Sequence, residues 1–270
     1  MSSVAVIGPG LMGGSLLRAR SEAGLESVVW GPDPAERAAA GALPGVRVSP
    51  GLDEALDGVT GVVLATPLSA LGEILDRIVA ASGLPWVTDV ASLQRPPLEA
   101  AADRGLGDRY VSSHPMAGGH RSGFAASTPE LYRHARVWLS ASSTAAPVPE
   151  VSDFWRALDA EPAGVEADEH DRRMAWASHL PQVVSTHLAA LLSDTGVPRA
   201  DLGPGGRDVT RLAGSDPRMW TDILEAAPTP LPQALRTLAR RLTEEADHLE
   251  RGTAAPFAEL LRATRGWSRA

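Results

Sequence analysis

The start of the chain constrains its fold more than any other part. An apolar run over Val4–Ile7 leads directly into Gly8-Pro9-Gly10-Leu11-Met12-Gly13, a G-x-G-x-x-G pattern, and then into a segment of helical character. Between a strand and a helix, these glycines allow a sharp turn and aim backbone N–H groups at an anion. The sequence therefore predicts a parallel α/β domain that binds a dinucleotide through Gly8, Gly10, Leu11, Met12 and Gly13.

A second apolar run supports this interpretation and indicates the cofactor. Residues 27–31 end close to Asp33, which follows Gly13 by twenty residues. This is the usual spacing for an acid that binds the ribose hydroxyls of NAD. Because a carboxylate there repels the 2′-phosphate of NADP, we expect NAD, with NADP as the alternative if Arg37 turns toward a phosphate.

Short apolar runs recur through the first part of the chain at helix-length intervals, which is typical of a doubly wound parallel sheet. Thr66 and Pro67, where the third run ends, are further candidates for the cofactor site. After Asp168 the apolar period becomes helical. We therefore expect a dinucleotide-binding domain over residues 1–166 and an α-helical domain over residues 167–270. The predicted strands are 4–7, 27–31, 61–66, 86–90, 110–113, 135–140 and 163–166.

Composition excludes several classes of function. The chain has no cysteine, which rules out disulfides, thiolate metal sites and a thiol nucleophile. All 25 basic residues are arginine, so a Walker lysine, a Schiff base and the catalytic lysine of several dehydrogenase classes are also excluded. The net charge of −8 argues against nucleic acid or an anionic membrane as a partner. With no long apolar run and no room for a signal peptide, we expect a cytoplasmic protein that needs no metal.

Two polar residues near predicted strand ends are candidates for catalysis. Ser92 lies in a polar turn after residues 86–90, and His114 follows residues 110–113 in front of a glycine-rich loop. Ligands of doubly wound sheets bind beyond the carboxyl ends of the strands, so both residues are expected near the cofactor. The structural alternatives are that Ser92 caps a helix and that His114 is a buried histidine of the core.

An arginine-rich stretch lies in the predicted helical half, over residues 203–220. Ser215-Asp216-Pro217 is typical of a helix start, with a polar cap and proline in the first turn. Arg207, Arg211 and Arg218 either face solvent or bind a carboxylate, which suits the planar guanidinium. Further along, the apolar stripe between Leu231 and Leu249 exceeds what one small helical layer needs, which predicts a homodimer.

Five motifs can be read together, in chain order. They are Gly-Leu-Met-Gly-Gly-Ser (10–15), Thr-Asp-Val-Ala-Ser (88–92), His-Pro-Met-Ala-Gly (114–118), Ser-His-Leu-Pro (178–181) and Arg-Asp-Val-Thr-Arg-Leu-Ala-Gly-Ser-Asp-Pro-Arg-Met-Trp (207–220). This set resembles the prephenate/arogenate (cyclohexadienyl) dehydrogenase family of tyrosine biosynthesis. The resemblance implies a Rossmann domain, an α-helical dimerisation domain, and oxidative decarboxylation of a cyclohexadienyl acid with NAD or NADP.

The same resemblance implies roles for individual residues. His114 matches the catalytic histidine, and Ser92 matches the serine beside it and the nicotinamide. Arg211 matches the arginine that binds the side-chain carboxylate of the substrate, and Asp208 would orient the site. His179 belongs to the fourth motif and is a further candidate for contact with the substrate.

Three positions depart from the family pattern, and they leave the substrate open. Gln182 replaces a frequent second histidine, His120 replaces a common acidic residue, and Gln94 replaces a frequent lysine. We treat Gln182 and His120 as candidate substrate contacts, with prephenate, arogenate and the amino-deoxyprephenate of specialised metabolism as alternatives. Another histidine-based hydroxy-acid dehydrogenase and a non-catalytic dinucleotide sensor remain alternative functions.

Overall fold

The computed structural model describes residues 3–81, 83, 86–119, 121–142, 147–226 and 230–267. Within these residues, eight strands form one sheet: β1 (Val4–Ile7), β2 (Ser27–Trp30), β3 (Val46–Val48), β4 (Gly61–Leu64), β5 (Val87–Asp89), β6 (Tyr110–Pro115), β7 (Arg136–Ala141) and β8 (Glu161–Gly164). Their order across the sheet is β3-β2-β1-β4-β5-β6-β7-β8. Strands β2 and β3 are added on one side of β1 and strands β4 to β8 on the other, which is the strand order of a doubly wound fold.

The central strands are buried over their whole length. β1 pairs in parallel with both β2 and β4, and all four residues of β1 and of β4 are buried. Both strands consist mainly of valine and other apolar residues, which suits a sheet covered by helices on both faces. The expected α/β class with a doubly wound sheet is therefore confirmed.

The last two strands, β7 and β8, run opposite to the other six and so depart from the expected parallel arrangement. β7 runs antiparallel to β6, with Pro115 opposite Val137, and β8 is parallel to β7. In its described residues, 116–119 and 121–135, the connection from β6 to β7 contains one 3₁₀ turn, Phe124–Ala126, and no helix that would carry the chain back across the sheet. Because a parallel pair needs such a crossover, the chain reverses at the same edge. His114, predicted just after a strand, is inside β6.

Helices separate most of the strands and make up the second half. Before β8 these are α1 (Leu11–Glu22), α2 (Pro34–Gly41), α3 (Leu52–Leu56), α4 (Leu68–Ala80), α5 (Arg95–Ala102) and α6 (Val148–Arg156). After β8 come α7 (Ala167–Met174), α8 (Leu180–Asp194), α9 (Pro204–Val209), α10 (Pro217–Glu225), α11 (Pro230–Glu250) and α12 (Ala255–Thr264). A π-helical segment, Ala175–His179, joins α7 to α8. Asp216 caps α10, as the sequence predicts.

Two carboxylates of the helical half accept hydrogen bonds from the starts of helices that flank the sheet. The Asp171 carboxylate on α7 accepts the backbone N–H groups of Gln94 and Arg95, which begin α5. The Asp222 carboxylate on α10 accepts both the backbone N–H and the hydroxyl of Ser69, at the start of α4. Both contacts lie just beyond the carboxyl ends of central strands, where the sheet is expected to bind its ligands.

The last two helices leave much of their apolar surface uncovered. α11 buries Leu231 and Ala234 only, and α12 buries none of its residues. Large apolar side chains on these helices are exposed, among them Leu242, Leu249, Phe257, Leu260 and Leu261. Across the described residues, no helix has the length and apolar character needed to cross a membrane.

Candidate active site

The turn between β1 and α1 has the geometry of a dinucleotide-binding loop. Gly8 has a φ of 96°, a left-handed conformation that favours glycine. A Cβ on Gly13 would overlap the carbonyl oxygen of Gly8, so a glycine is needed for α1 to pack this closely. A Cβ on Gly10 would meet no atom within 4 Å, and no side chain caps the first amides of α1. The turn thus leaves space and N–H donors for a pyrophosphate.

The segment after β4 lies against the same turn. A Cβ on Gly8 would come within 3.1 Å of the Thr66 methyl group. The Thr66 hydroxyl is buried without a hydrogen-bond partner among the described residues, an arrangement that is costly unless a ligand satisfies it. Pro67 is the exposed N-cap residue of α4. Together with the glycine turn, this unsatisfied hydroxyl indicates that the residues present fit a bound dinucleotide.

Asp33 is placed at the end of β2, as the spacing predicts. Its Oδ1 caps α2 by accepting the backbone N–H groups of Ala35 and Glu36. Both bonds use the same oxygen, so Oδ2 is left for a ribose hydroxyl. The Arg37 guanidinium folds back onto the carbonyl oxygens of Gly31 and Pro32, close to the same edge of the sheet.

His114 is linked through the loop that follows it to the dinucleotide turn. A Cβ on Gly119 would lie 3.5 Å from the Leu11 side chain, at the first residue of α1. Further along the loop, the backbone N–H of Phe124 donates to Glu36 at 3.0 Å, and the Tyr132 hydroxyl donates to the Met12 carbonyl at 2.8 Å. The loop that follows the candidate base therefore packs against the cofactor turn and α1.

A chain of hydrogen bonds extends from the His114 ring into the helical half. His114 Nδ1 lies 2.8 Å from His170 Nε2, and His170 Nδ1 lies 2.7 Å from Asp171 Oδ1. The two imidazole rings meet edge to face, with their centroids 5.0 Å apart. His170 and Asp171 are 1% and 3% exposed, so the arrangement is shielded from water on that side.

The surroundings of His114 keep its ring neutral. The pKa of His114 is lowered to about 3, mainly because burial removes its hydration and also because the rings of His170 and His179 are nearby, while the Asp171 carboxylate acts in the opposite direction. A neutral imidazole is the form that can accept a proton. The site thus holds a base that is unprotonated at neutral pH.

His179 and Trp220 form an unsatisfied polar pair near His114. His179 is 1% exposed, yet both of its ring nitrogens, like Nε1 of Trp220, have no partner among the described residues. The two rings meet edge to face with centroids 5.9 Å apart. Burial lowers the pKa of His179 to about 4. Since buried polar atoms are normally hydrogen-bonded, this pair is a candidate to bind a polar substrate.

The side chains of Gln182 and Gln94 are engaged within the protein. Gln182 donates to the Leu212 carbonyl at 2.8 Å and accepts the Ser215 hydroxyl at 3.2 Å, which ties α8 to the arginine-rich stretch. Gln94 is fully buried and donates to the Trp138 carbonyl at 2.7 Å. The role of Gln182 toward the substrate remains a prediction, and these bonds would compete with it.

Several predicted site residues are not in contact with His114. Ser92 lies in the turn that leads to α5, and among the described hydrogen bonds none joins it to His114. Arg211 is exposed and lines a cavity of about 400 Å³ against the second half of α8, and Asp208 is exposed on α9. His120 lies outside the described residues.

His170 and Asp171 are the site residues that the sequence did not reveal. They lie 56 or more positions from His114, and nothing in a single sequence shows that α7 folds back onto β6. The available signal was a histidine–aspartate pair in α7, the first helix after the last strand. Trp220 was noted only as part of the fifth motif.

Two family models cover most of the chain. The nucleotide-binding domain of prephenate dehydrogenase matches residues 18–162, and the dimerization domain of prephenate dehydrogenase matches residues 166–263. The chain belongs to the prephenate dehydrogenase family. The first match begins after the glycine-rich turn, so the assignment of that turn as the cofactor loop rests on its geometry.

Relatives and solved structures agree with membership of this family. A cyclohexadienyl dehydrogenase of Zymomonas mobilis is 32% identical over 247 residues, which are 85% of this chain and 82% of that protein. A prephenate dehydrogenase of Lactococcus lactis is 28% identical, over 90% of this chain and 70% of its own length. The fold matches prephenate dehydrogenase from Aquifex aeolicus in complex with hydroxyphenyl propionate and NAD⁺, with a TM-score of 0.89, 24% identity, and coverage of 100% and 98% of the two chains.

Proposed function

We propose that this protein of the prephenate dehydrogenase family oxidatively decarboxylates a cyclohexadienyl acid, prephenate or arogenate, with NAD and with His114 as the base. The observation that carries the proposal is the position of His114. The loop that follows it contacts the dinucleotide turn at Leu11, the unsatisfied His179 ring is close to it, and it is hydrogen-bonded through Nδ1 to His170. Its second ring nitrogen is therefore left for a substrate.

The cofactor would be held by residues at the ends of β1, β2 and β4. Gly8, Gly10 and Gly13 allow the pyrophosphate to approach the N-terminus of α1. Thr66 supplies a hydroxyl, and Asp33 supplies a carboxylate oxygen for the ribose. Bound NAD supplies the acceptor for the hydride that leaves the ring carbon bearing the hydroxyl group.

The role of His114 is to hold one proton during the reaction. Its Nε2 accepts the proton of the substrate hydroxyl as the C–O bond becomes a carbonyl. Loss of the ring carboxylate as carbon dioxide then returns an electron pair to the ring, which becomes aromatic. The resulting phenolate oxygen takes the proton back, so the histidine ends as it began.

Binding of the substrate would fall to the helical half. Arg211 suits the side-chain carboxylate because a guanidinium donates two parallel hydrogen bonds. His179 and Trp220 offer polar ring atoms that the protein leaves without partners, and they are candidates for the remaining oxygen atoms. In a chain of net charge −8, long-range attraction does not recruit a dianion, so these local contacts matter most.

Turnover with a panel of substrates tests the function. Prephenate, arogenate and 4-amino-4-deoxyprephenate are each incubated with NAD or NADP, and reduced nicotinamide is followed by its absorbance. We expect reduction with one of the first two acids and a preference for NAD, since Asp33 repels a 2′-phosphate. Activity confined to the amino compound would move the protein to specialised metabolism, and no reduction with any acid would contradict the proposal.

The assembly and the cellular location are also part of the proposal. A match to a dimerization domain and the exposed leucines of α11 and α12 support a homodimer. The partners would be a small cyclohexadienyl substrate and a second copy of the chain, without nucleic acid. The cytoplasmic location expected from the sequence stays a prediction.

A further inference from the structure

We propose that His170 and Asp171 form a positioning pair, which fixes His114 in the tautomer whose Nε2 is free to accept a proton. The inference rests on the proposed function only in taking His114 as the base. The pair is carried by α7 in the helical half, whereas His114 is carried by β6 in the sheet. The competence of the base would then depend on how the two halves dock.

The argument begins at the buried end of the chain of hydrogen bonds. Asp171 Oδ1 accepts the backbone N–H of Gln94 at 2.9 Å, and Oδ2 accepts the backbone N–H of Arg95 at 3.0 Å. Backbone amides can only donate, so both oxygens of this side chain act as acceptors. The third group on Asp171, His170 Nδ1 at 2.7 Å, must therefore also donate.

This assignment determines the protons on both rings. With its single proton on Nδ1, a neutral His170 presents a lone pair at Nε2. Among the residues that the structure describes, the group at hydrogen-bond distance from this lone pair is His114 Nδ1, at 2.8 Å, which must then carry the proton of its own neutral ring. His114 Nε2 is left unprotonated, as a general base requires.

Few other groups near His114 could titrate beside its ring or form a hydrogen bond to it in place of His170. The charged or titratable side chains that influence its ring are His170 and Asp171 on α7 and His179 on the π-helical segment. His179 makes no hydrogen bond to it within the described residues. Across the sheet, the residue opposite His114 on β7 is Trp138, which cannot titrate.

The pair also accounts for where the positive charge goes. When the substrate O–H bond breaks, an N–H bond forms at His114 Nε2 and the ring becomes an imidazolium. Its Nδ1–H already donates to His170, whose own Nδ1–H donates to the Asp171 carboxylate. The charge is thus compensated by an anion one ring away, and no further proton needs to enter or leave.

Two substitutions at His170 separate positioning from folding. His170→Gln places an amide oxygen near the former Nε2 and can still accept from His114, whereas His170→Leu removes the acceptor. We expect the leucine variant to lose roughly 100-fold in kcat with a nearly unchanged KM for NAD, and the glutamine variant to recover most of that loss. Asp168→Asn is the control, because Asp168 precedes the pair on α7, is exposed, and contacts Arg95 only through its side chain.

The tautomer itself can be measured without turnover. In protein labelled with ¹⁵N-histidine, NMR spectra show which ring nitrogen of each of the seven histidines carries a proton, and the His114→Asn spectrum identifies the His114 signals. We expect a protonated Nδ1 and a bare Nε2 in the wild type, and a mixture of tautomers in His170→Leu. A protonated Nε2 in the wild type, or wild-type kcat in His170→Leu, would overturn the proposal.

This design keeps the two proposals apart. If wild-type protein reduces no NAD with any cyclohexadienyl acid, the proposed function fails, while the tautomer measurement is still valid. If wild-type protein turns over and the His114 spectrum shows Nε2–H, the positioning pair fails and the function stands.

Discussion

The sheet half of the protein, up to the end of β8, and the helical half, from α7 onward, differ in how completely one chain buries its apolar side chains. In the sheet half, strands β1 and β4 are fully buried and Trp155 has no exposed surface. In the helical half, Leu242 and Leu249 are 62% and 61% exposed, although both belong to the apolar stripe of α11. A large exposed apolar surface marks an interaction site. The comparison teaches that the sheet half buries its central strands within one chain, whereas the helical half leaves an apolar surface that the proposed second copy would cover.

The halves also contribute different parts of the site. In the proposed site, the sheet half supplies the cofactor turn and the expected base, His114, while the helical half supplies the His170–Asp171 pair, the His179 ring and the arginine-rich stretch. Substitutions in the sheet half should therefore change the rate of the chemical step. In the helical half, substitutions at His170 should likewise lower kcat, whereas those in the arginine-rich stretch and on α11 should change substrate affinity and assembly, respectively.

The largest effect is expected from His114→Asn. Without a base, kcat should fall by about two to four orders of magnitude, the usual contribution of a positioned general base, while the KM for NAD stays nearly constant. His134→Asn is the matched control, since His134 is exposed in the same half and asparagine tolerates its φ of 61°. Wild-type kcat in His114→Asn would return this residue to a structural role.

Arg211→Ala should act on substrate affinity. Loss of the guanidinium leaves a substrate carboxylate unpaired, which costs roughly 2–5 kcal/mol and raises the KM on the order of a hundredfold. Lysine should rescue only in part, because an ammonium does not form two parallel bonds. Arg199→Ala is the control, since Arg199 lines the same cavity. A lower melting temperature with an unchanged KM would show that Arg211 only braces the fold.

Assembly can be tested at the exposed stripe of α11. Leu242→Gln puts a polar group where we expect a partner to pack, and it should weaken the dimer by about ten- to a hundredfold in Kd, judged from the cost of exposing a leucine. Arg241→Gln alters the neighbouring exposed residue and should leave the dimer intact. Sedimentation at micromolar concentration measures both variants. A wild-type protein that is fully active as a monomer would contradict the homodimer.

Two buried groups, Asp89 in the sheet half and His179 in the helical half, should respond to pH in opposite directions. Burial raises the pKa of Asp89, at the end of β5, to about 7, so the folded state keeps a proton that the unfolded chain releases above about pH 4. This contribution to the free energy of unfolding falls as the pH rises from 4 to 7. Burial lowers the pKa of His179 to about 4, so its contribution falls as the pH drops from about 6.5 to 4. Within its pH range, each group changes the free energy of unfolding by about 1.4 kcal/mol per pH unit.

Urea unfolding of two variants isolates these contributions. Relative to wild type, Asp89→Asn should become more stable as the pH rises from 4.5 to 7, and His179→Gln should become more stable as the pH falls from 6.5 to 4.5. Stability curves that run parallel to the wild-type curve would show that these groups do not titrate as their burial implies.

Local signals in the sequence predicted most of the sheet half. The apolar run before the glycine turn, the run before Asp33 and the alternation of strands and helices each reflect rules that act over a few residues. The strand β7 was predicted over residues 135–140, but its antiparallel direction was not, because strand direction depends on whether the preceding connection crosses the sheet. β8 begins two residues before its predicted start, at Glu161 instead of Ala163.

The site was predicted only as far as strand ends could be recognised. His114 was identified because it follows an apolar run, and Asp33 because of its spacing from the glycine turn. His170 and Asp171 meet His114 only through the packing of α7 against the sheet, a long-range contact without a sequence period. The positions of Arg211 and Gln182 relative to the substrate likewise depend on tertiary contacts.

The ratio of carbon dioxide released to NAD reduced tests the central claim most directly. A substrate labelled in its ring carboxylate is incubated with wild-type protein, and trapped label is compared with NADH formed in the same vessel. The account predicts one carbon dioxide for each NADH, with both lost together in His114→Asn. NADH formed without carbon dioxide would contradict it and indicate a simple hydroxy-acid dehydrogenase.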